Sequence, residues 1–385
     1  MNTRRKSIKI IIIFVFILAA VLIRTANVQE VYAAEKSAAS EHGYYYGFLN
    51  KSEKKTYDAI VRACEDRTGK VELKPVKEHK FWNAYAAVRF DHPEYYWLHN
   101  YDILTYRNQE GRIVSATINI PYNAGVNSVV MEAIAENTAR QISSGYTEYE
   151  KYKYIYDTVA WQTTYGKAKG VDDQSITGVL IDQKAVCSGY ADAFKYLCDE
   201  AGLFCIRVEG YTKESDGSIC SETHAWNMIR VDGIYYWVDV TWGDTRAEND
   251  TRLYGRTTDY YNFLCATDDT FLKDHIPSDD LLGACKGHFK AEYPACTNDQ
   301  YTNFRLMGRQ FSCTEDTYGY IRDVISGYIP YLEMQFPSTE ELHRAINILH
   351  DNGVMWDLVC GTGVYYDHYT YYYNDVFNTL VFEFA

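Results

Sequence analysis

Apolar residues recur at helical spacing over 52–67 (SEKKTYDAIVRACEDR) and 78–90 (KEHKFWNAYAAVR), and the spacing predicts a helix in each. Asp91-His92-Pro93 ends the second, because a residue before proline avoids the helical region. Residues 95–106 and 112–120 read as two strands around Asn108-Gln109-Glu110-Gly111. A helix follows at about 126–143, and a Thr147/Glu150 capping box opens another that runs to about Trp161. Residues 187–200 form a helix with Tyr190, Ala191, Phe194, Leu197 and Cys198 on one side, closed near Gly202. The stretch 203–211 alternates as a strand. Then 224–231 (HAWNMIRV) and 234–242 (IYYWVDVTW) flank Asp232-Gly233, a strong signal for a two-residue hairpin. In the tail, 338–351 predicts a helix and 362–384 Tyr-rich strands. No internal repeat is evident.

At 385 residues the chain is long enough for two or three domains. The reading divides it into a signal peptide at 1–34, a helix and hairpin region at 35–145, a catalytic domain at 146–285 and a Tyr-rich α/β region at 286–385. Hydrophobic residues make up 47%, as in a globular protein, and the 37 tyrosines suit half-buried strands. The N-terminus reads as a targeting segment: Arg4, Arg5, Lys6 and Lys9 precede an apolar run from Ile10 to Ile23. That run is shorter than the roughly 20 residues of a comfortable membrane span, and Val31-Tyr32-Ala33 suits signal-peptidase cleavage. The expectation is therefore a secreted or cell-surface protein, with an uncleaved anchor as the alternative. Removing residues 1–34 moves the formal charge from −14 to −18. So acidic a chain is expected to bind neither nucleic acid nor, once the signal is cleaved, a membrane. All ten cysteines lie in the exported part, where an oxidising compartment favours disulfides, but spacing does not fix their pairing.

The segment AVCSGYADAF (185–194) places Cys187 at the mouth of a helix. Free N–H groups and the positive end of the helix dipole there stabilise a negative sulfur and a developing oxyanion. Hairpin register supplies its partners. A two-residue turn pairs Val231 with Ile234, which sets His224 opposite Thr241 and Asp239 opposite Trp226. His224 and Asp239 are then diagonal neighbours on one face, roughly 7–8 Å apart at Cα and within reach of a hydrogen bond. A carboxylate so placed fixes the histidine tautomer and stabilises the imidazolium.

These blocks carry a resemblance. SITGVLIDQKAVCSGYADAFKYLCDEAGLFCIRVEGY (175–211) followed by HAWNMIRVDGIYYWVDVTWGD (224–244) resembles the transglutaminase-like superfamily over about 150–275. Residues 44–150, with FDHPEYYWL the best match, resemble the N-terminal region of secreted transglutaminase-like proteins of Gram-positive bacteria. The resemblance implies a papain-like α+β fold, the cysteine helix packed on an antiparallel sheet, flanked by a helical N-terminal and a small α/β C-terminal region. It implies Cys187, His224 and Asp239 as the triad of a cysteine acyltransferase or peptidase. It also implies an oxyanion-hole side chain upstream of the cysteine, for which Tyr165, Trp161 and Gln183 are the candidates, Tyr165 foremost. Trp226 is expected in the core, with cleft lining beside His224 the alternative.

No cofactor is expected, and no metal: Cys198, Cys205, Cys220 and His224 lack the paired short spacing of structural zinc sites. Two functions stay open. One is acyl transfer on extracellular protein or cell-wall peptide amides. The other is a cell-surface binding module on an inactive enzyme fold.

Overall fold

The computed structural model describes residues 43–100, 102–167, 169–170, 172–214, 216–244, 259–278 and 289–385. The expected signal segment, Cys285 and residues 245–258 lie outside them. Among the described residues no helix is long and apolar enough to cross a membrane.

The chain opens with α1 (Lys51–Glu65), started by a capping box in which Asn50 and Glu53 satisfy each other's backbone N–H groups. Strand β1 (Lys70–Val76), helix α2 (Glu78–Asp91), β2 (Ile103–Arg107) and β3 (Ile113–Ile118) follow, and β3 lies between β1 and β2 in an antiparallel sheet. The strand expected over 95–106 is corrected at its start: residues Tyr96–Asn100 wind into a 3-10 turn whose Tyr96, Trp97 and Leu98 are buried. Helices α3 (Ala124–Gln141) and α4 (Glu148–Gln162) match the expected spans, and Thr147 and Glu150 form the expected capping box.

Next come the two-residue strand β4 (Thr164–Tyr165), a short helix α5 (Ile176–Leu180) and β5 (Lys184–Ala185), which pairs parallel with β4. Strand β5 leads into α6 (Cys187–Glu200). The central sheet is antiparallel, in the order β10-β6-β7-β8-β9. Its members are β6 (Cys205–Thr212), β7 (His224–Val231), β8 (Ile234–Val238), β9 (Leu264–Ala266) and β10 (His275–Pro277). Helix α6 packs on β6 and β7. The fold is therefore α+β, with the cysteine helix on an antiparallel sheet.

Among the described residues there are two hydrophobic cores. The first joins α1, α2 and α4 to α6 and the central sheet through buried Tyr45, Tyr57, Phe81, Phe90, Tyr156, Phe194, Trp226 and Tyr236. The second belongs to the C-terminal region, where helices over 317–326, 339–346 and 354–362 pack on the sheet of strands 331–335, 369–374 and 379–384. Two expectations are corrected there. The Tyr-rich strands begin at Tyr369, not 362, because Val354–Thr362 is helical, and the helix Thr317–Ser326 and strand Tyr331–Gln335 were not foreseen.

Candidate active site

Cys187 is the first residue of α6. The preceding Val186 is extended and caps nothing with its side chain, so the helix start keeps its N–H groups turned outward. Gly189 is required by close approach: a Cβ there would stand 2.8 Å from the Ser175 carbonyl oxygen and 2.9 Å from the Ala185 methyl. A larger residue would push the first turn of α6 off the 173–175 loop. Sequence and site connect at this point, since the small residues after the cysteine let the helix start lie flush on that loop.

The hairpin has the expected register, Val231 with Ile234 through Asn227 with Val238. Beyond that the second strand departs from expectation. It stops at Val238 rather than continuing to Trp242, and Asp239 becomes the N-cap of a helical turn α7 (Val240–Gly243). The reason is chemical. Asp239 Oδ1 accepts from the backbone N–H groups of Thr241 (2.9 Å) and Trp242 (3.1 Å), which favours a helix start over further ladder pairing. The other oxygen, Oδ2, accepts from Nε2 of His224 at 2.6 Å. The two side chains meet, as the register argument required, through a capping turn in place of a continuous strand.

With Nε2 held by Asp239, the other nitrogen of His224 is left for Cys187, which lies close enough to influence the His224 charge. Burial alone would discharge the imidazole, but the Asp239 carboxylate and the Cys187 sulfur outweigh it and push the His224 pKa up to about 10. Burial likewise works against charge on Asp239, yet His224 and His275 hold its carboxyl well below the usual carboxylate range. The set is a proton donor held between an anion that orients it and a thiol at a helix N-terminus.

The other expected site residues fall differently. Trp226 is 1% exposed, so its alternative placement as a cleft-lining residue is corrected. It shares a face of β7 with His224 and packs beneath the imidazole, with ring centroids 5.8 Å apart. Tyr165 is partly exposed on β4, its ring 6.3 Å from that of Tyr190 on α6. Trp161 is exposed at the end of α4, and Gln183 adopts a left-handed backbone (φ 56°) before β5. Gln162, passed over in favour of its neighbours, has a buried Nε2 that finds no hydrogen-bond partner among the described residues. His275 was also missed, since nothing in its local pattern marks it. It reaches Asp239 Oδ2 at 3.2 Å from β10, the far edge of the sheet.

Cys198, Cys205 and Cys220 form no metal cluster with His224. Among the described residues the group with metal-like spacing is His224, Asp239 and His275. Its closest approaches, 2.6 and 3.2 Å, are hydrogen-bond distances from the two imidazoles to Asp239 Oδ2. A cavity of about 1150 Å³ lies at the opposite end of α6, lined by Lys195, Tyr196, Asp199 and Glu200, and it includes none of the Cys187, His224 or Asp239 side chains.

Behind the helix start lies a buried charge network. Arg207 of β6 donates to Asp192 (2.8 Å), to Glu209 (2.9 Å) and to the hydroxyl of Ser188 (2.9 Å), the residue after Cys187. Asp192 also meets His99 Nε2 at 2.5 Å, while Arg89 contacts His99 Nδ1 at 2.9 Å. An arginine can only donate, so Nδ1 accepts, Nε2 carries the hydrogen, and His99 is neutral. Burial and the adjacent Arg89 push its pKa down to about 4. Removing Arg207 would leave buried Asp192 with the neutral His99 alone and Glu209 with only Arg89, at 3.9 Å. Arg207→Met is expected to cost about 3–5 kcal/mol of folding stability. Urea unfolding checks this; a midpoint unchanged from wild type would contradict it.

Residues 136–241 match the family model of the Transglutaminase-like superfamily. Kyphoscoliosis peptidase of Mus musculus is 29% identical over 168 residues, covering 41% of this chain and 24% of that protein. The Homo sapiens protein of the same name is 31% identical over 146 residues, covering 35% and 22%. The chain thus spans about a quarter of the length of the curated relatives it matches. Among solved structures, a TGase is 19% identical, covering 37% of this chain and 46% of that one with a TM-score of 0.25. A proposed cysteine protease from Cytophaga hutchinsonii is 14% identical, covering 36% and 61% with a TM-score of 0.24.

Proposed function

With residues 136–241 forming a transglutaminase-like superfamily domain, we propose that this chain is a thiol-dependent acyl-transfer enzyme that acts on protein or peptide amides through Cys187, His224 and Asp239. The observation that carries the reading is His224, bonded through Nε2 to Asp239 at 2.6 Å and close enough to Cys187 at the start of α6 for the sulfur to raise its pKa. The Cys187 thiolate attacks the amide carbonyl carbon, and backbone N–H groups of the first helical turn stabilise the oxyanion. His224 gives its proton to the departing amine as the C–N bond breaks, which leaves a thioester on Cys187. In the second half His224 takes a proton from water or from an acceptor amine, which attacks the thioester and frees the sulfur. Asp239 keeps its charge throughout and stabilises the imidazolium.

Hydrolysis is the favoured outcome, because it needs no second binding site and because the mammalian relatives carry the name peptidase. The basic N-terminus and apolar run support export, with extracellular proteins or cell-wall peptides as substrates. The test is incubation of the mature protein with glutamine-containing peptides and a labelled primary amine. Released amine or cleaved peptide without label supports hydrolysis, and incorporated label supports transamidation. Absence of any Cys187 thioester across broad peptide libraries would overturn the enzyme reading in favour of a binding module.

A further inference from the structure

His275 belongs to no block that marks the active site, yet it contacts that site's carboxylate. Its side chain is fully buried, stacked on Phe271 at 3.9 Å between centroids and 23° between planes. Trp242 (4.5 Å) and Trp226 (5.0 Å) meet it edge-on. An aromatic box would suit a phenylalanine equally well. What a phenylalanine would lack is the pair of polar contacts. His275 Nε2 lies 3.2 Å from Asp239 Oδ2, and Nδ1 lies 2.7 Å from Asp274 Oδ1. Each ring nitrogen faces a carboxylate oxygen, and the contact to Asp239 Oδ2 is made when Nε2 carries a hydrogen.

We propose that His275 is a positioning residue for the acyl-transfer chemistry: by sharing Oδ2 with His224 it fixes the Asp239 carboxylate and moderates its pull on the His224 proton. The inference rests on the proposed function of the Cys187–His224 pair. With His275 in place the carboxylate is fully occupied. Oδ1 accepts two backbone N–H groups and Oδ2 two imidazole N–H groups. A carboxylate that accepts four donors cannot turn, which holds the His224 ring toward Cys187. An oxygen that serves two imidazoles binds each less strongly than it would bind one, so His224 releases its proton at a lower pH than it would alone.

The arrangement depends on β10 lying close to β6, and Gly210 makes that possible. Gly210 pairs with both His224 and Pro277, and a Cβ there would stand 2.1 Å from the Ile276 carbonyl oxygen and 2.7 Å from the Trp226 ring. The titratable groups that face the cluster come from several elements. They are Cys187 on α6, Asp274 before β10 and Tyr156 on α4, whose hydroxyl is bonded to the Tyr260 carbonyl. Phe271, Trp226 and Trp242 carry no charge, and the Lys273 ammonium is directed to Asn378 and the Asp375 carbonyl.

The test follows carbamidomethylation of the Cys187 peptide by iodoacetamide against pH, read by mass spectrometry after labelling of the folded full chain. A wild-type thiolate–imidazolium pair reacts at pH 6, where ordinary thiols do not, and changes rate again as His224 loses its proton near pH 10. His275→Phe keeps the ring in its box and removes the Nε2 donor to Asp239. The upper step is expected to rise by about one pH unit, and by less in His275→Gln, which keeps one amide donor. A purely structural role would lower the melting temperature and leave the step in place. An unmoved step in folded His275→Phe overturns the proposal while leaving the pair itself intact. Should that variant not fold, His275→Gln decides, with a rise of about half a unit expected and an unmoved step again overturning it. Ordinary thiol behaviour of Cys187 in the wild-type protein overturns the proposed function and this inference together.

Discussion

Cys187→Ala should leave no detectable acyl-enzyme and no amide turnover above background, while the protein unfolds at the wild-type temperature. In the proposed reaction the sulfur is the atom that bonds to the substrate carbonyl, and alanine offers no nucleophile in its place. The fold should survive because Cys187 is only partly buried at the helix start, and the packing of α6 rests on Tyr190, Ala193, Phe194 and Leu197 further along. Labelling with iodoacetamide at pH 6 gives a second readout that needs no substrate. Cys64, Cys198, Cys205, Cys265 and Cys296 are buried, while Cys220 and Cys313 are partly exposed and Cys360 is exposed, so the labelling is read on the Cys187 peptide itself, where it should outpace those three and vanish in the variant. Persistent turnover would remove Cys187 from the chemistry altogether.

Asp239→Asn should reduce turnover by about 10³- to 10⁴-fold, through loss of the imidazolium and not of the thiol. The sign of the pH effect follows from the charges. In the wild-type protein His224 holds its proton up to about pH 10, chiefly because Asp239 and the Cys187 sulfur overcome the effect of burial. With the carboxylate made neutral, burial prevails and the alkaline limb should slide from about pH 10 toward or below the ordinary histidine value near 6.5. Folding stability should change in parallel. A histidine whose proton is held more tightly in the folded state adds stability below its unfolded value and loses it as pH rises through its folded value. The wild-type protein should therefore weaken between about pH 6.5 and 10, and the variant should lack this trend. The backbone N–H groups of Thr241 and Trp242 can still be capped by the asparagine oxygen, so α7 should persist. Wild-type kinetics in the variant would refute the role of Asp239.

Much of this site could be read from local pattern. The helix at Cys187 has a clear apolar face, and Asp232-Gly233 fixes a hairpin whose register is then arithmetic. Register placed His224 and Asp239 on one face without any structure. It could not show that Asp239 would cap a turn, because Asp-Val-Thr-Trp extends the alternation of the strand as readily as it opens a helix. Strand β1 was hidden by Pro75 and by the lysines and glutamate around it, and the structure places a register irregularity at that point, between Glu72 and Val76. The helix Val354–Thr362 was hidden for the opposite reason, since VMWDLVCGT is as apolar as a strand. His275 was out of reach altogether. Its strand is three residues long and pairs with β6 from the sheet edge, so its place beside Asp239 is a purely tertiary fact.

The buried network behind Cys187 also bears on how this domain could be inherited or transplanted. The segment that matches the superfamily, residues 136–241, carries Asp192, Arg207 and Glu209 but neither Arg89 nor His99. It also lacks Tyr45, whose hydroxyl donates to the Arg207 carbonyl, and Phe90, whose ring lies 4.3 Å from the Arg207 guanidinium. Cut at those limits, the segment would open an apolar face and leave Asp192 without one of its two partners. The boundaries of the recognisable family segment are therefore not the boundaries of a foldable unit. In this chain the matched segment and residues 43–100 share one hydrophobic core, and a recombinant fragment or a natural shuffling event that separated them would carry Cys187, His224 and Asp239 without the packing that supports them.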